Sequence, residues 1–225
     1  MNSGTEVRGE RWGLYANLHR GVQRCAFSTL QKFTGAFSRE PAAVDAALDA
    51  LDELLLLAEN FVLLECEFVH PKLPAGLDLA DDTARRLREV DRLRGLRMVL
   101  APWNIADVRR IEMLYQAALG FVTAWCEAMR AIEQHHDALL WEHHDTAALQ
   151  QLQRHLVGSA PVRMQESLLR WMLPGMVEQE KMALIGFLYR VLPKKKALTL
   201  FSSLGIHIMR QAVGRTEKSH MTSGG

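Results

Sequence analysis

The sequence predicts an all-α protein in which four long helices are followed by several shorter ones. Helix-forming residues such as Ala, Leu, Arg, Glu and Met dominate the composition. Apolar residues recur over long stretches with a period close to 3.6, whereas strand-like alternation never extends beyond a few residues. The chain has 225 residues, of which 48% are hydrophobic, enough to bury a sizeable core.

The first two helices are predicted from apolar stripes. One is expected over residues 10–37, with Tyr15, His19, Val22, Ala26, Leu30 and Phe33 on one face. The next is expected after a turn at 38–41 and runs to about residue 69, with Leu48, Leu51, Leu55, Ala58, Phe61, Glu65 and Phe68 on one side. Pro71 and Pro74 are expected to end this second helix.

The third and fourth helices are separated by Pro102. The third is expected over residues 79–100, with Leu87, Val90, Leu93 and Arg94 facing inward. The fourth runs to about residue 141, with Asn104 or Asp107 as its N-cap. Its stripe consists of Leu114, Ala118, Phe121, Trp125, Ala128 and Ile132.

The pattern changes after residue 145. Shorter helices are predicted near 146–157, 161–173, 177–191 and 194–213, separated by glycines and prolines. We therefore expect a four-helix domain over residues 10–145 and a helical extension over 146–213 that packs on it. Residues 1–9 and 214–225 are expected to be flexible tails.

Charge, hydropathy and cysteine usage exclude several classes of protein. The 27 basic and 26 acidic side chains leave a net charge of +1, which gives no reason to expect a nucleic-acid or membrane partner. No apolar run reaches the roughly 20 residues that span a bilayer, and the first residues contain no apolar signal segment. The three cysteines are widely spaced, so reduced thiols in a cytoplasmic protein are expected.

Four short segments carry a resemblance to a known family. They are Leu-His-Arg-Gly at 18–21, Glu-Cys-Glu-Phe-Val-His-Pro at 65–71, Ala-Leu-Leu-Trp at 138–141 followed by His143, and Leu-Arg-Trp-Met-Leu-Pro at 169–174. In order and spacing these segments resemble the bacterial hemerythrin-like (HHE cation-binding) domain family, over residues 12–210. The resemblance implies an up-down four-helix bundle over 10–145, followed by the C-terminal helical extension.

The resemblance also implies a set of metal ligands. His19 matches the histidine of the first helix, and Glu65 matches the bridging carboxylate of the second. The four remaining ligand positions fall on apolar residues: Phe61, Val90, Ala128 and Ile132. A di-iron centre needs several imidazoles and carboxylates on facing helices, so two surviving ligands cannot hold it. The six residues are expected to line a remodelled cavity in which only His19 and Glu65 can touch a metal.

The buried His19 and Glu65 leave more than one possibility open. Polar groups in a core must be hydrogen-bonded, so the two side chains either satisfy one another or contact a bound molecule. A third possibility is a complete metal site formed together with further residues.

A second constellation consists of two Glu-x-x-His pairs, Glu67 with His70 and Glu133 with His136. The ferritin-like di-iron scheme also needs a carboxylate from each of the other two helices. The first helix supplies none between residues 10 and 40, which argues against this arrangement. The group His135, His136, His143 and His144 is expected to be a solvated helix end.

Four functional hypotheses follow. The first is a sensor or binding protein that holds a small molecule or haem in the remodelled core, with His19 as the axial ligand of haem. The second is an ordinary di-iron protein that binds oxygen or nitric oxide. The third is a haem- or metal-dependent enzyme in which Glu65 acts as a general acid or base. The fourth is a non-catalytic interaction module with a filled core. Outside the third hypothesis, the identity of any catalytic residue is left open.

Overall fold

The computed structural model describes residues 15–100 and 107–205, with the side chains of residues 16 and 17 excepted. It is all-α, as predicted, and these residues contain no strand. The chain divides into two compact units, Met1–Met176 and Val177–Gly225. The predicted tails, the helix break at Pro102 and the alternative cap Asn104 lie outside the described residues.

Eight α-helices account for most of the described chain. They are α1 (Ala16–Ala36), α2 (Pro41–Leu64), α3 (Leu79–Leu100), α4 (Val108–His143), α5 (Thr146–Ser159), α6 (Val162–Met172), α7 (Glu178–Val191) and α8 (Lys194–Ser203). The third helix has the predicted bounds. At the N-cap position of α4, Asp107 makes no side-chain capping bond; Asp145 does cap α5, accepting from the Ala148 amide at 2.8 Å.

The predicted second helix does not continue as α-helix to residue 69. It ends at Leu64 and is followed by a π-helical turn, Glu65–Val69, and a 3-10 turn, His70–Lys72. The His70 amide donates to the Glu65 carbonyl, five residues back. Pro71 has no N–H to continue the helical hydrogen bonds. The helix therefore ends in a π-helical turn, which is wider than an α-helical turn, followed by a tighter 3-10 turn.

The first four helices are arranged around one interior. Helix α1 packs on α2 and α4, and α3 packs on the same two helices. Side-chain pairs between α2 and α3 run in opposite chain directions, since Glu59 contacts Arg94 and Asp52 contacts Arg97. These two helices are therefore antiparallel.

Helix α3 differs from its neighbours in what it buries. Val90, Leu93 and Leu100 are its buried apolar residues, and Thr83 and Arg86 are buried with them. The prediction that Val90 and Leu93 face inward is confirmed. Leu87 is only half-buried and the Arg94 side chain is 36% exposed. The buried face of α3 contains Arg86 together with Val90 and Leu93.

Helices α5 and α6 belong to the same unit as the first four. Helix α6 packs on α1 and α2, and α5 packs on the π-helical turn. Near the end of α6, Arg24 of α1 donates to the carbonyls of Trp171 and Met172, at 3.3 and 3.1 Å. These bonds satisfy helix-end carbonyls that have no partner within the helix.

The second unit contains α7 and α8, which contact each other. No helix in the described part of the chain has both the length and the apolar character needed to cross a bilayer.

Candidate functional site

Several polar side chains are buried together in the first unit. Five of them form what we call the polar core: Tyr15, His19, Glu65, Arg86 and His136. They come from the N-cap and first turn of α1, the π-helical turn, α3 and α4, and none is more than 5% exposed. Polar groups this deeply buried are costly unless they are paired, so their partners decide what the site can do.

An ion pair stands at the centre of the polar core. Arg86 Nη1 donates to Glu65 Oε2 at 2.5 Å, and both side chains are at most 3% exposed. Arg86 Nε lies 2.8 Å from Asp82 Oδ2, one helical turn away, as an ion pair outside hydrogen-bonding geometry. Burial raises the pKa of the Glu65 carboxyl, and the charge of Arg86 opposes that effect.

His19 is hydrogen-bonded to Glu133 of α4. Its Nδ1 lies 3.2 Å from Glu133 Oε2. Burial lowers the pKa of His19 to about 4, and the charge of Arg86 acts in the same direction, whereas Glu133 opposes it. The imidazole is therefore neutral near pH 7. Because a carboxylate only accepts hydrogen bonds, the single ring proton lies on Nδ1, and Nε2 carries a lone pair.

Tyr15 and His136 form the third contact. The Tyr15 hydroxyl lies 3.3 Å from His136 Nδ1. Burial lowers the pKa of His136 to about 4 and raises that of Tyr15 well above 10.0. The phenol stays protonated, and its one proton serves either His136 Nδ1 or the Glu65 side chain, with which Tyr15 is also hydrogen-bonded. The His70 ring meets His136 edge-on, with the centroids 6.0 Å apart.

Aromatic rings surround His19 closely. The Tyr15 ring stacks on it with a centroid distance of 5.0 Å, and the Phe61 ring lies 5.2 Å away. Of the other three apolar positions predicted to line the cavity, Val90 and Ile132 are buried and Ala128 is half-buried. The structure thus brings Phe61 into direct contact with His19.

Of the possibilities left open for His19 and Glu65, a hydrogen bond between the two side chains does not form. Each has a different partner, Glu133 for His19 and Arg86 for Glu65. Arg86 was missed because a charged residue on a mostly polar helix is usually solvated. A signal was present nonetheless, since Arg86 lies four residues before Val90 and shares its face.

The histidines of the second constellation also differ from expectation. His136 is buried, so the prediction of a solvated helix end is wrong for this residue; His135 and His143 are exposed and His144 is half-buried. The Glu133–His136 pair contributes both residues to the site through a three-residue spacing on α4. Glu67 of the other pair is exposed.

Five buried atoms in and beside the polar core have no hydrogen-bond partner among the described residues. They are His19 Nε2, Glu65 Oε1, His70 Nε2, Arg86 Nη2 and Arg86 Nε, the last of which has only its ion pair with Asp82. Within the ranges 15–100 and 107–205, no group of three or more His, Cys, Asp or Glu side chains is placed to hold a metal ion.

Comparison with known proteins identifies no relative of this chain. No protein-family model, no curated protein and no solved structure matches the chain. The hemerythrin-like resemblance therefore depends on the four short segments at 18–21, 65–71, 138–143 and 169–174 and stays a prediction.

Proposed function

We propose that residues 10–145 form a hemerythrin-like four-helix bundle whose polar core binds a small polar molecule in place of a di-iron centre. Binding without catalysis is the role that the geometry supports best. One observation carries this proposal: five buried polar atoms lack a hydrogen-bond partner among the described residues. Each such atom costs about 1–3 kcal/mol, a cost that a bound molecule would remove.

The unpaired atoms define the chemistry of the ligand. His19 Nε2 and Glu65 Oε1 accept hydrogen bonds, whereas Arg86 Nη2 donates one. A matching molecule carries a donor and an acceptor, as a primary amide or an alcohol does. It is small, because the rings of Tyr15 and Phe61 already pack against His19.

A di-iron centre does not fit this arrangement. The Arg86 guanidinium lies 2.5 Å from Glu65 and supplies the positive charge that this carboxylate needs. A metal ion bound to the same carboxylate would have to displace a buried cation or lie beside it, and like charges at that distance repel. Arg86 is therefore an internal replacement for a bound cation.

Haem is the alternative ligand. The lone pair of His19 Nε2, with Glu133 bonded to the other ring nitrogen, is the arrangement in which a histidine binds a metal. With Tyr15 and Phe61 at centroid distances of 5.0 and 5.2 Å, a porphyrin does not fit beside His19 unless one of these rings moves. This packing favours the smaller ligand.

The cysteines favour a reducing compartment, and we propose the cytoplasm. Cys25, Cys66 and Cys126 form no disulfide. Burial raises the pKa of the Cys25 thiol to about 12, which keeps it unreactive.

The proposal can be tested on protein purified without chelators. Native mass spectrometry compares the mass of the folded chain with its mass after denaturation, and an absorption spectrum and iron analysis are recorded on the same sample. We expect a small organic molecule to be released on denaturation. The His19→Ala variant should lose it. His143→Ala, which changes an exposed histidine at the end of α4, should retain it.

Each other outcome contradicts the proposal in a different way. A Soret band that disappears in His19→Ala would mean haem. About two irons per chain would mean that Arg86 leaves Glu65 and that a di-iron centre forms. A chain with nothing bound, in both the parent and the variants, would favour an interaction module with a filled core.

A further inference from the structure

Helix α3 is attached to the rest of the first unit in an unusual way. It buries three apolar side chains over 22 residues, whereas α2 buries eleven over 24. Since burial of apolar surface is the main force that holds helices together, α3 has much less of it. We infer that α3 is a movable cover over the polar core, held closed by arginine–carboxylate pairs.

Three such pairs connect α3 to the preceding helical segment. Arg86 binds Glu65 in the interior at 2.5 Å. Nearer the surface, Arg94 contacts Glu59 with both terminal nitrogens, at 2.7 and 3.4 Å. Arg97 contacts the Asp52 carboxylate at 2.6 Å. The pairs follow one another along the α2–α3 interface, so they act on the same contact.

The two outer pairs are accessible to solvent and ions. The side chains of Arg94 and Arg97 are 36% and 27% exposed. The Debye length falls from about 30 Å at 0.01 M salt to about 3 Å at 1 M, so salt weakens pairs of this kind. The attachment of α3 should therefore loosen as the ionic strength rises, whereas apolar contacts such as those between α1 and α2 should not.

The connection before α3 allows such a movement. Gly76 lies between the 3-10 turn and α3 with a φ of +95°, and nothing lies within 4 Å of where its Cβ would be. A glycine in this conformation is a low-cost point for a change of chain direction. Opening would take Arg86 away from Glu65 and give a molecule access to His19. That consequence depends on the proposed ligand binding, but the movement itself does not.

Hydrogen exchange measured by mass spectrometry tests the movement on the full chain without added ligand. At low salt, amides of residues 79–100 should exchange faster than those of α2 and α4. Raising the salt to about 1 M should speed α3 exchange roughly fivefold, and α2 exchange much less. The double variant Arg94→Gln/Arg97→Gln should show the fast rate already at low salt.

The matched control is Arg88→Gln/Arg92→Gln, which removes the same charge from the same helix. Arg88 is exposed, and Arg92 pairs with Glu89 within α3. This control should exchange like the parent chain. Equal rates in α2, α3 and α4 at both salt concentrations would overturn the inference, as would equal acceleration in both double variants. If Arg94→Gln/Arg97→Gln fails to fold, the salt dependence of the unaltered protein still decides. Neither result depends on finding a ligand in the polar core.

Discussion

At the scale of single residues, Arg86 determines the character of the site. A guanidinium removed from water is stable only beside a carboxylate, and Glu65 provides one at 2.5 Å. The same charge helps to keep His19 neutral, because a second positive charge nearby is unfavourable. One substitution on α3 should therefore change both the ion pair and the histidine.

Replacing Arg86 tests this role directly. In Arg86→Met, Glu65 stays buried without its partner, and we expect the free energy of unfolding to fall by about 3–5 kcal/mol. Urea denaturation near pH 8 measures it. At acidic pH the loss should be smaller, because a protonated Glu65 needs no cation.

Two further variants separate the buried pair from a general effect of losing an arginine. Arg86→Met/Glu65→Leu removes both charges and should recover most of the lost stability. Arg92→Met, at an exposed pair within α3, should change stability by no more than about 0.5 kcal/mol. A single Arg86→Met variant as stable as Arg92→Met would contradict the central position of the ion pair.

At the scale of helices, α1 and α6 approach each other closely at Gly21. A Cβ at Gly21 would lie 2.7 Å from Met172 Cγ and 2.9 Å from Leu168 Cδ1, well inside normal contact. Gly21 ends the Leu-His-Arg-Gly segment and Met172 lies in the Leu-Arg-Trp-Met-Leu-Pro segment. Two of the segments that carry the family resemblance therefore meet at this contact.

Glycine at position 21 should thus be needed for packing. We expect Gly21→Ala to lower the free energy of unfolding by about 1–3 kcal/mol through overpacking. Gly35→Ala is the matched control, because Gly35 lies on the same helix with nothing within 4 Å of its Cβ position. Alanine favours a helix over glycine by about 1 kcal/mol, so this control should be stabilised.

Thermal unfolding followed by circular dichroism measures both variants. The sign of the Tm change is the decisive quantity: downward for Gly21→Ala and upward for Gly35→Ala, by roughly 2–4 °C per kcal/mol for a chain of this size. A rise in Tm for both variants would mean that α6 does not pack closely against α1 at Gly21.

The sequence predicted helices better than contacts, for physical reasons. The bounds of α3, Leu79–Leu100, were predicted from the sequence. The π-helical turn at Glu65–Val69 was not, because an i→i+5 bond leaves no mark in a periodicity of 3.6. The partners of His19 and Glu65 depend on rotations of α3 and α4 that local patterns do not determine.

At the scale of the first unit, the buried histidines make folding sensitive to acid. His19 and His136 have a pKa of about 4 in the folded protein, against about 6.5 in an unfolded chain. Between these values the unfolded chain binds more protons, so the free energy of unfolding falls as the pH drops from about 6.5 towards 4. The raised pKa of Glu65 has the opposite effect on the pH dependence of stability, but Glu65 is a single group, whereas two histidines contribute to the loss.

The expected loss is large enough to measure. Lowering the pKa of His19 from about 6.5 to about 4 corresponds to about 3 kcal/mol of stability, and His136 adds to this loss. Urea denaturation at a series of pH values gives the slope. His19→Gln should reduce that slope by up to about 1.4 kcal/mol per pH unit, whereas His143→Gln should leave it unchanged, because His143 is exposed. A parent protein whose stability does not change between pH 6.5 and 4.5 would mean that protons reach these histidines in the folded state. In that case the polar core opens readily to water, and a small ligand would compete there with solvent.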